Sequence, residues 1–219
     1  MMRDELEATP DRQRRLEAIA DEHNRQEDPA HDSLHVRRVA VQAARIGAAE
    51  GASFHVVVPA ALLHELFNYP KNHPDSALSG EKCAMLALSV LQKEGYPPAQ
   101  ANAICECIRV HSYSRGIVPA GRDAQVLQDA DRLDALGAIG IARCFATGTT
   151  MQRPFYSPQD PFCKSRAPDD NLWTLDHFYR KLLRLPETLH TPTARALAQS
   201  RVAFLEAFLG QLAQEMDEA

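Results

Sequence analysis

The chain has 219 residues, with 24 Lys and Arg against 29 Asp and Glu, and a formal net charge of −5. A chain of this length fits one domain and buries about 70% of its unfolded surface on folding. The negative charge argues against broad nucleic-acid binding, which needs many Lys and Arg side chains to neutralise phosphates. The five cysteines are odd in number and form no Cys-x-x-Cys motif, so neither a disulfide framework nor a thiolate zinc site is indicated.

The first residues, Met-Met-Arg-Asp-Glu-Leu-Glu, contain no apolar core of a signal peptide. No apolar run approaches the roughly 18 residues that a membrane-spanning helix needs. We therefore expect a cytoplasmic protein without a membrane partner.

Apolar residues recur at helical spacing, while no strand-like alternation and no internal repeat is visible. The sequence therefore predicts an all-α fold. We expect one domain, with a core at about 30–148, a loop at about 148–170 and C-terminal helices at about 171–216 packed on it. Helices are predicted at residues 11–26, 32–50, 54–67, from 76 or 79 to 94, 98–111, 122–147 with a break near Gly137 or Gly140, 171–184 and 192–216.

Several polar residues mark the predicted helix ends. Asp32 is expected to be the N-cap of the second helix, and Gly51 lies where a helix C-terminus favours glycine. Ser76 or Ser79 is expected to cap the fourth helix.

His64 and Glu65 stand out because they interrupt an apolar helical run, with Ala-Ala-Leu-Leu before them and Leu-Phe after them. Polar side chains in such surroundings are costly to desolvate unless a partner or an ion compensates. Adjacent side chains on a helix point about 100° apart, so a histidine and a carboxylate there can hold one cation from two sides. Two further ligands are then expected from elsewhere.

Candidate ligands lie on both sides of this pair. Upstream, His31 and His35 share a helix face at i and i+4, and His35 belongs to the inward apolar stripe. We leave His31 open between a supporting role near the site and a solvent-exposed position. Downstream, Asp129, Asp131 and Asp134 lie on one apolar helix, where an arginine salt bridge is an adequate alternative explanation for Asp129 and Asp134.

The order of a histidine, a histidine–acid pair and a later aspartate resembles the HD-domain metal phosphohydrolase superfamily, whose signature is H…HD…D. Matched residue by residue, His35 takes the first position, His64 and Glu65 the pair, and Asp131 the last, with Asp129 as second choice. The segments at 69–72, 111–114 and 177–183 are also similar to stand-alone bacterial HD hydrolases, so the resemblance covers roughly residues 15–215.

This resemblance implies an HD-type helical bundle with one divalent metal site. The implied metal ligands are His35, His64, Glu65 and Asp131, of which Glu65 and Asp131 are also expected to be catalytic. The expected substrate-binding residues are Lys71, His111, Arg115 and Arg132.

Two imidazoles and two carboxylates suit Mn²⁺, Fe²⁺, Ni²⁺ or Mg²⁺. Such an ion lowers the pKa of bound water toward neutrality and polarises a phosphoryl oxygen, which predicts attack of metal-bound hydroxide on phosphorus. With the resemblance, this implies a metal-dependent phosphohydrolase of a phosphorylated small molecule, in the first place a nucleotide, acting as a triphosphate pyrophosphohydrolase or a nucleotide phosphatase. No polynucleotide partner is expected, and whether the chain forms a homodimer stays open.

Glu65 departs from the family pattern, which has Asp at this position. The extra methylene moves the carboxylate about 1.5 Å further from the backbone. An alternative is therefore a nucleotide-binding or regulatory HD module that has lost turnover. A third reading is a helical protein whose acids and histidines form only buried salt bridges. Metal content separates the third reading from the others, and turnover separates the first two.

Overall fold

A computed structural model of the chain describes residues 9–23, 32–69, 73–112 and 116–217. These residues form α-helices and two 3₁₀ helices and no strand, which confirms the all-α prediction. The α-helices are α1 (Thr9–His23), α2 (Ser33–Glu50), α3 (Phe54–Leu63), α4 (Ser79–Lys93), α5 (Pro98–Val110), α6 (Arg122–Asp134), α7 (Gly137–Thr150), α8 (Asp176–Arg180) and α9 (Pro192–Asp217). Within the described ranges, no helix has the length and apolarity to cross a membrane.

The described chain divides into two compact units, and the division falls inside α6. The first unit contains α1 to α5 and α6 through Asp131. The second unit runs from Arg132 through α9. The expected single domain over the whole chain stays a prediction.

Helix α2 begins and ends where the sequence predicts. The carboxylate of Asp32, in extended backbone, accepts the amide of His35 over 2.9 Å, as an N-cap does. Gly51 ends the helix in the left-handed conformation, with φ +71°, which glycine adopts without strain. The buried face consists of His35, Val36, Val39, Ala40, Ala43, Ile46 and Gly47.

Helix α3 is buried and contains Pro59. Proline has no amide hydrogen, so it cannot donate to the carbonyl four residues earlier, that of His55. The side-chain amide of Gln100 donates to that carbonyl instead, over 2.8 Å. An internal proline is therefore tolerated because α5 supplies the missing donor.

The predicted end of α3 at residue 67 was wrong, because the helix ends at Leu63 and residues 64–66 form a turn. Leu66 is nevertheless buried. The apolar run continues past the helix because the turn also packs into the core. His64 and Glu65 therefore lie just after the C-terminal end of α3 and not within the helix.

Helix α4 has no serine cap. A 3₁₀ helix, Ser76–Leu78, leads directly into it, and neither N-cap position makes a side-chain capping bond. The chain thus enters α4 already in helical conformation, which leaves no extended residue to act as a cap. The hydroxyl of Ser79 instead accepts the amide of Tyr69 over 3.1 Å, so the predicted caps were wrong.

The second unit has an aromatic core. Phe178 lies 6.2 Å from Phe145 and 5.9 Å from Phe208 between ring centroids. Helix α7 begins at Gly137, with φ +70°, which confirms the predicted break after α6. Helices α7 and α9 pack against each other in this unit.

The helix predicted at 171–184 was wrong in extent. The structure has the short α8 and then a 3₁₀ helix, Leu182–Thr188, which contains Pro186. Proline disfavours α conformation in the residue before it and lacks the amide that an α-helix needs. At the start of α8, the carboxylate of buried Asp176 accepts two hydrogen bonds from Arg166 and one from the amide of Asp169. These bonds fold the preceding loop onto the helix start.

Candidate metal centre

Three side chains of the first unit bring metal-binding atoms together. The ligand atoms of His35, His64 and Asp131 all lie within 4.8 Å of one another. Nε2 of His35 is 3.6 Å, and Nε2 of His64 is 4.0 Å, from Oδ1 of Asp131. Both histidines are buried, whereas 23% of the Asp131 side chain is exposed. The cluster therefore reaches solvent through its carboxylate.

His35 projects from the first turn of α2. Its amide is fixed by the N-cap Asp32, and its ring centroid lies 5.3 Å from that of His64. The inward stripe of α2 thus delivers a buried imidazole to the cluster, as the sequence predicts.

His64 follows the last residue of α3, and its ring turns back on the helix. Nδ1 lies 2.6 Å from the carbonyl of Ala61. A carbonyl only accepts, so Nδ1 carries the hydrogen and Nε2 carries the lone pair. Nε2 is buried and has no hydrogen-bond partner among the described residues. This atom has the orientation and the protonation of a metal ligand.

The charge state of His64 follows from its surroundings. Burial lowers the pKa of His64 from 6.5 to about 4, and the imidazoles of His111 and His35 act in the same direction. The carboxylates of Glu65 and Asp131 oppose this effect without overcoming it. At neutral pH the ring is therefore neutral, which is the form that binds a cation.

Glu65 lies beside this cluster. Its Oε1 is 3.9 Å from Nε2 of His64, and Nδ2 of Asn68 is 3.5 Å from its Oε2. The group of three ligand atoms within 4.8 Å does not include it. Metal ligation and a catalytic role for Glu65 therefore stay predictions.

The helix that carries Asp131 is tied to its neighbour by a glutamine. The side-chain amide of buried Gln128 donates to the carbonyls of Val110, over 2.6 Å, and Ile117, over 2.9 Å. The first of these carbonyls belongs to the end of α5, whose last carbonyls lack helical partners. Gln128 thereby holds the end of α5 against α6, one turn before Asp131.

The two acids of α6 that flank Asp131 most closely, Asp129 and Asp134, differ from each other. Asp129 is fully buried. Asp134 pairs with Arg143 over 2.9 Å within the second unit, which is the arginine salt bridge expected as an alternative to a metal role.

His111 occupies the C-cap of α5. Nδ1 lies 2.6 Å from the carbonyl of Ile108, and the ring centroid lies 5.2 Å from that of His64 at nearly a right angle. The buried ring therefore both caps its own helix and borders the cluster. Its contact with a substrate stays a prediction.

The remaining predicted residues are not part of the cluster as described. Lys71, Arg115 and His31 lie outside the described residues. Arg132 lies in the second unit, where its guanidinium donates to the carbonyl of Thr188 and contacts Nε2 of His190 over 3.1 Å. Its role in substrate binding stays a prediction.

Sequence reasoning missed two residues that support this site, Gln128 on the same helix as Asp131 and Cys83 on α4. Cys83 is fully buried on α4, and its Sγ lies 3.3 Å from the carbonyl of Leu63 and 3.1 Å from that of His64. Burial raises the pKa of the Cys83 thiol to about 12, so the group remains an S–H donor. Neither residue type is distinctive in sequence, and only the folded chain brings them to the site.

The donor set fits a divalent cation. Two imidazole nitrogens and a carboxylate oxygen are the donors that borderline divalent ions prefer, and no cysteine of the described chain belongs to the group. A buried nitrogen without a hydrogen-bond partner, such as Nε2 of His64, is costly unless an ion or a ligand compensates. The residues therefore fit a divalent cation, and its identity among Mn²⁺, Fe²⁺, Ni²⁺ and Mg²⁺ stays a prediction.

Comparison with known sequences identifies similar proteins. The family model of the HD domain matches residues 33–136, which include the three residues of the cluster. The uncharacterized protein YpgQ of Bacillus subtilis strain 168 is 34% identical over 194 residues, covering 87% of this chain and 86% of YpgQ.

Several solved structures are similar to this chain over nearly its whole length. The crystal structure of Bacillus subtilis YpgQ in complex with ADP has a TM-score of 0.72 and 31% identity, covering 93% of this chain and 97% of that chain. A crystal structure of an HD-superfamily hydrolase from Bacillus thuringiensis has a TM-score of 0.71 and 28% identity, covering 95% of this chain and 98% of that chain. A crystal structure of a protein from Lactobacillus plantarum has a TM-score of 0.77 and 28% identity, covering 96% of this chain and 99% of that chain.

Proposed function

This chain belongs to the HD-domain family, and from that membership we propose that it is a metal-dependent phosphohydrolase that acts on a nucleotide. His35, His64 and Asp131 would hold the ion, and Glu65 is the proposed fourth ligand. When bound, a divalent ion supplies Lewis acidity that acidifies water and polarises a phosphoryl oxygen.

The observation that carries this proposal is the buried Nε2 of His64. It has no hydrogen-bond partner in the described part of the chain, and it faces Nε2 of His35 and Oδ1 of Asp131 within 4.8 Å. The hydrogen bond to Ala61 holds the ring in that orientation before any ion arrives. Such preorganisation is what a ligand site needs to bind an ion without rearrangement.

The substrate class is supported from two directions. YpgQ, which is similar to this chain over nearly its whole length, has been crystallised with ADP. The net charge of −5 disfavours a polyanionic polymer but allows a small nucleotide whose phosphates contact a bound cation. A nucleoside triphosphate pyrophosphohydrolase and a nucleotide phosphatase both fit these observations.

The position of Glu65 favours a second candidate function. Its carboxylate is near His64 but outside the group of three ligand atoms, and it replaces the family aspartate. A chain that binds a metal ion and a nucleotide without turnover would have this arrangement. Turnover separates this regulatory module from the hydrolase.

The test is a substrate screen on protein stripped of metal with a chelator and reloaded with Mn²⁺. Nucleoside mono-, di- and triphosphates of all bases are compared with single-stranded DNA and RNA. We expect phosphate or pyrophosphate to be released from at least one nucleotide and no hydrolysis of either polymer.

The controls are two histidine variants. His64→Ala is expected to abolish turnover, while His23→Ala, on the exposed end of α1, is expected to leave it unchanged. Equal turnover in the wild type and His64→Ala, or a preference for polymers, would contradict the proposal. Metal and nucleotide binding without any turnover would favour the regulatory module.

A further inference from the structure

The side chain of Cys83 contacts the backbone of the turn that carries His64 and Glu65. Its Sγ lies 3.3 Å from the carbonyl of Leu63 and 3.1 Å from that of His64. The backbone of Phe67 and of Leu66 acts on this thiol by lowering its pKa, against the larger effect of burial, which raises the pKa. One fully buried side chain therefore contacts the backbone where α3 ends and the turn begins.

These contacts matter because α3 ends inside the core. The last carbonyls of a helix have no helical partner, and water is not available to a buried turn. Near this end, the carbonyl of Ala61 lies 2.6 Å from the His64 ring, and the carbonyl of Leu63 accepts the amide of Leu66 over 3.3 Å. The carbonyl of His64 itself is held by the thiol, over 3.1 Å.

We propose that Cys83 is a positioning residue for the metal ligand His64. By sharing its single hydrogen between the carbonyls of Leu63 and His64, the thiol fixes the backbone of the turn. That backbone geometry lets the His64 ring reach Ala61, so that its Nε2 faces the other two ligand atoms. The inference rests on the proposed metal centre and adds to it a residue 19 positions along the chain from His64.

Cys105 provides a matched control within the same unit. It is also buried, and its Sγ lies 3.4 Å from the carbonyl of Ala84 on α4, which is not part of the turn. Replacing either cysteine by alanine removes one buried sulfur atom, so the two substitutions leave cavities of similar size. Only the Cys83 substitution takes a donor from the His64 turn.

The first measurement is calorimetric titration with Mn²⁺ of chelator-treated wild type, Cys83→Ala, Cys83→Ser and Cys105→Ala. We expect Cys83→Ala to weaken Mn²⁺ binding by about tenfold or more, the usual effect of losing a residue that orients a ligand. Cys105→Ala is expected to bind as the wild type does. Cys83→Ser is expected to recover most of the affinity, because a hydroxyl also donates to a carbonyl.

The second measurement needs no metal. Amide hydrogen exchange at Leu66 and Phe67 in the metal-free protein reports opening of the turn. We expect exchange there to be about tenfold faster in Cys83→Ala than in Cys105→Ala, because only the former frees the turn. Melting curves of both variants check that their global stability is similar.

Equal Mn²⁺ affinity and equal turn exchange in Cys83→Ala and Cys105→Ala would overturn the inference. If the wild type itself binds no Mn²⁺, the inference fails together with the metal centre on which it rests. Neither measurement involves nucleotide hydrolysis. A wild type that binds Mn²⁺ without hydrolysing any nucleotide would therefore contradict the proposed function and not this inference.

Discussion

The ring of His64 donates a hydrogen bond from Nδ1 to the carbonyl of Ala61, three residues earlier, over 2.6 Å. This local contact selects the tautomer whose Nε2 carries the lone pair. Together with burial, this hydrogen bond keeps the His64 ring neutral and leaves the lone pair of Nε2 available to bind a cation. Protonation of the ring would place a positive charge on a fully buried side chain, which burial disfavours.

The metal-free protein should therefore lose stability in mildly acidic solution. The pKa of His64 is about 4 in the folded chain and 6.5 in the unfolded chain, so the unfolded chain binds the proton more readily. The stabilisation is complete above pH 6.5 and is lost as the pH falls from 6.5 toward 4. The full loss is about 3 kcal/mol, since one pKa unit corresponds to about 1.4 kcal/mol.

Urea unfolding in the presence of a chelator, at a series of pH values through this window, measures the effect. His64→Gln removes the titrating group, so its free energy of unfolding should fall less between about pH 6.5 and pH 4 than that of the wild type. Identical pH dependence in the two proteins would show that His64 is not a buried neutral imidazole.

Glu65 can be tested by changing its length and its charge separately. If its carboxylate ligates the ion, Glu65→Asp should keep or raise turnover, and Glu65→Gln should weaken Mn²⁺ binding by about tenfold, because an anionic ligand is lost. Calorimetric titration of the three proteins, paired with melting curves, reports both properties. Unchanged Mn²⁺ affinity with a lowered melting temperature in Glu65→Gln would remove Glu65 from the site.

The buried carboxylate of Asp176 should anchor the loop of the second unit. It accepts two hydrogen bonds from Arg166 and one from the amide of Asp169, and these donors lose that partner when the carboxylate is removed. We expect Asp176→Ala to lower the free energy of unfolding by about 2 kcal/mol. Glu206→Ala, at an exposed position of α9, should change it by less than about 0.5 kcal/mol. Urea unfolding checks both, and similar values would refute the anchoring role.

Helix boundaries set by local chemistry were predictable from the sequence. Asp32 and Gly51 delimit α2, and Gly137 begins α7, because capping and left-handed backbone depend on the residue itself. The HD-type order of ligands also pointed to His35, His64 and Asp131, which the structure brings together. Their metal binding stays a prediction.

Features set by distant residues were not predictable. The end of α3 at Leu63 coincides with contacts to a thiol 20 residues away, and the apolar pattern continues past it. The start of α8 coincides with the hydrogen bonds that Asp176 accepts from Arg166, ten residues earlier. Hydrophobic periodicity reports which residues are buried, and a buried turn gives the same signal as a buried helix.

The metal content of the purified protein tests the central claim most directly. Elemental analysis after reconstitution with Mn²⁺ and removal of free ion compares the wild type with His64→Ala and His23→Ala. We predict about one divalent ion per chain in the wild type and in His23→Ala, and a large loss in His64→Ala, because binding requires the buried Nε2. Equally little metal in the wild type and His64→Ala would contradict the assignment of His35, His64 and Asp131 as a metal centre.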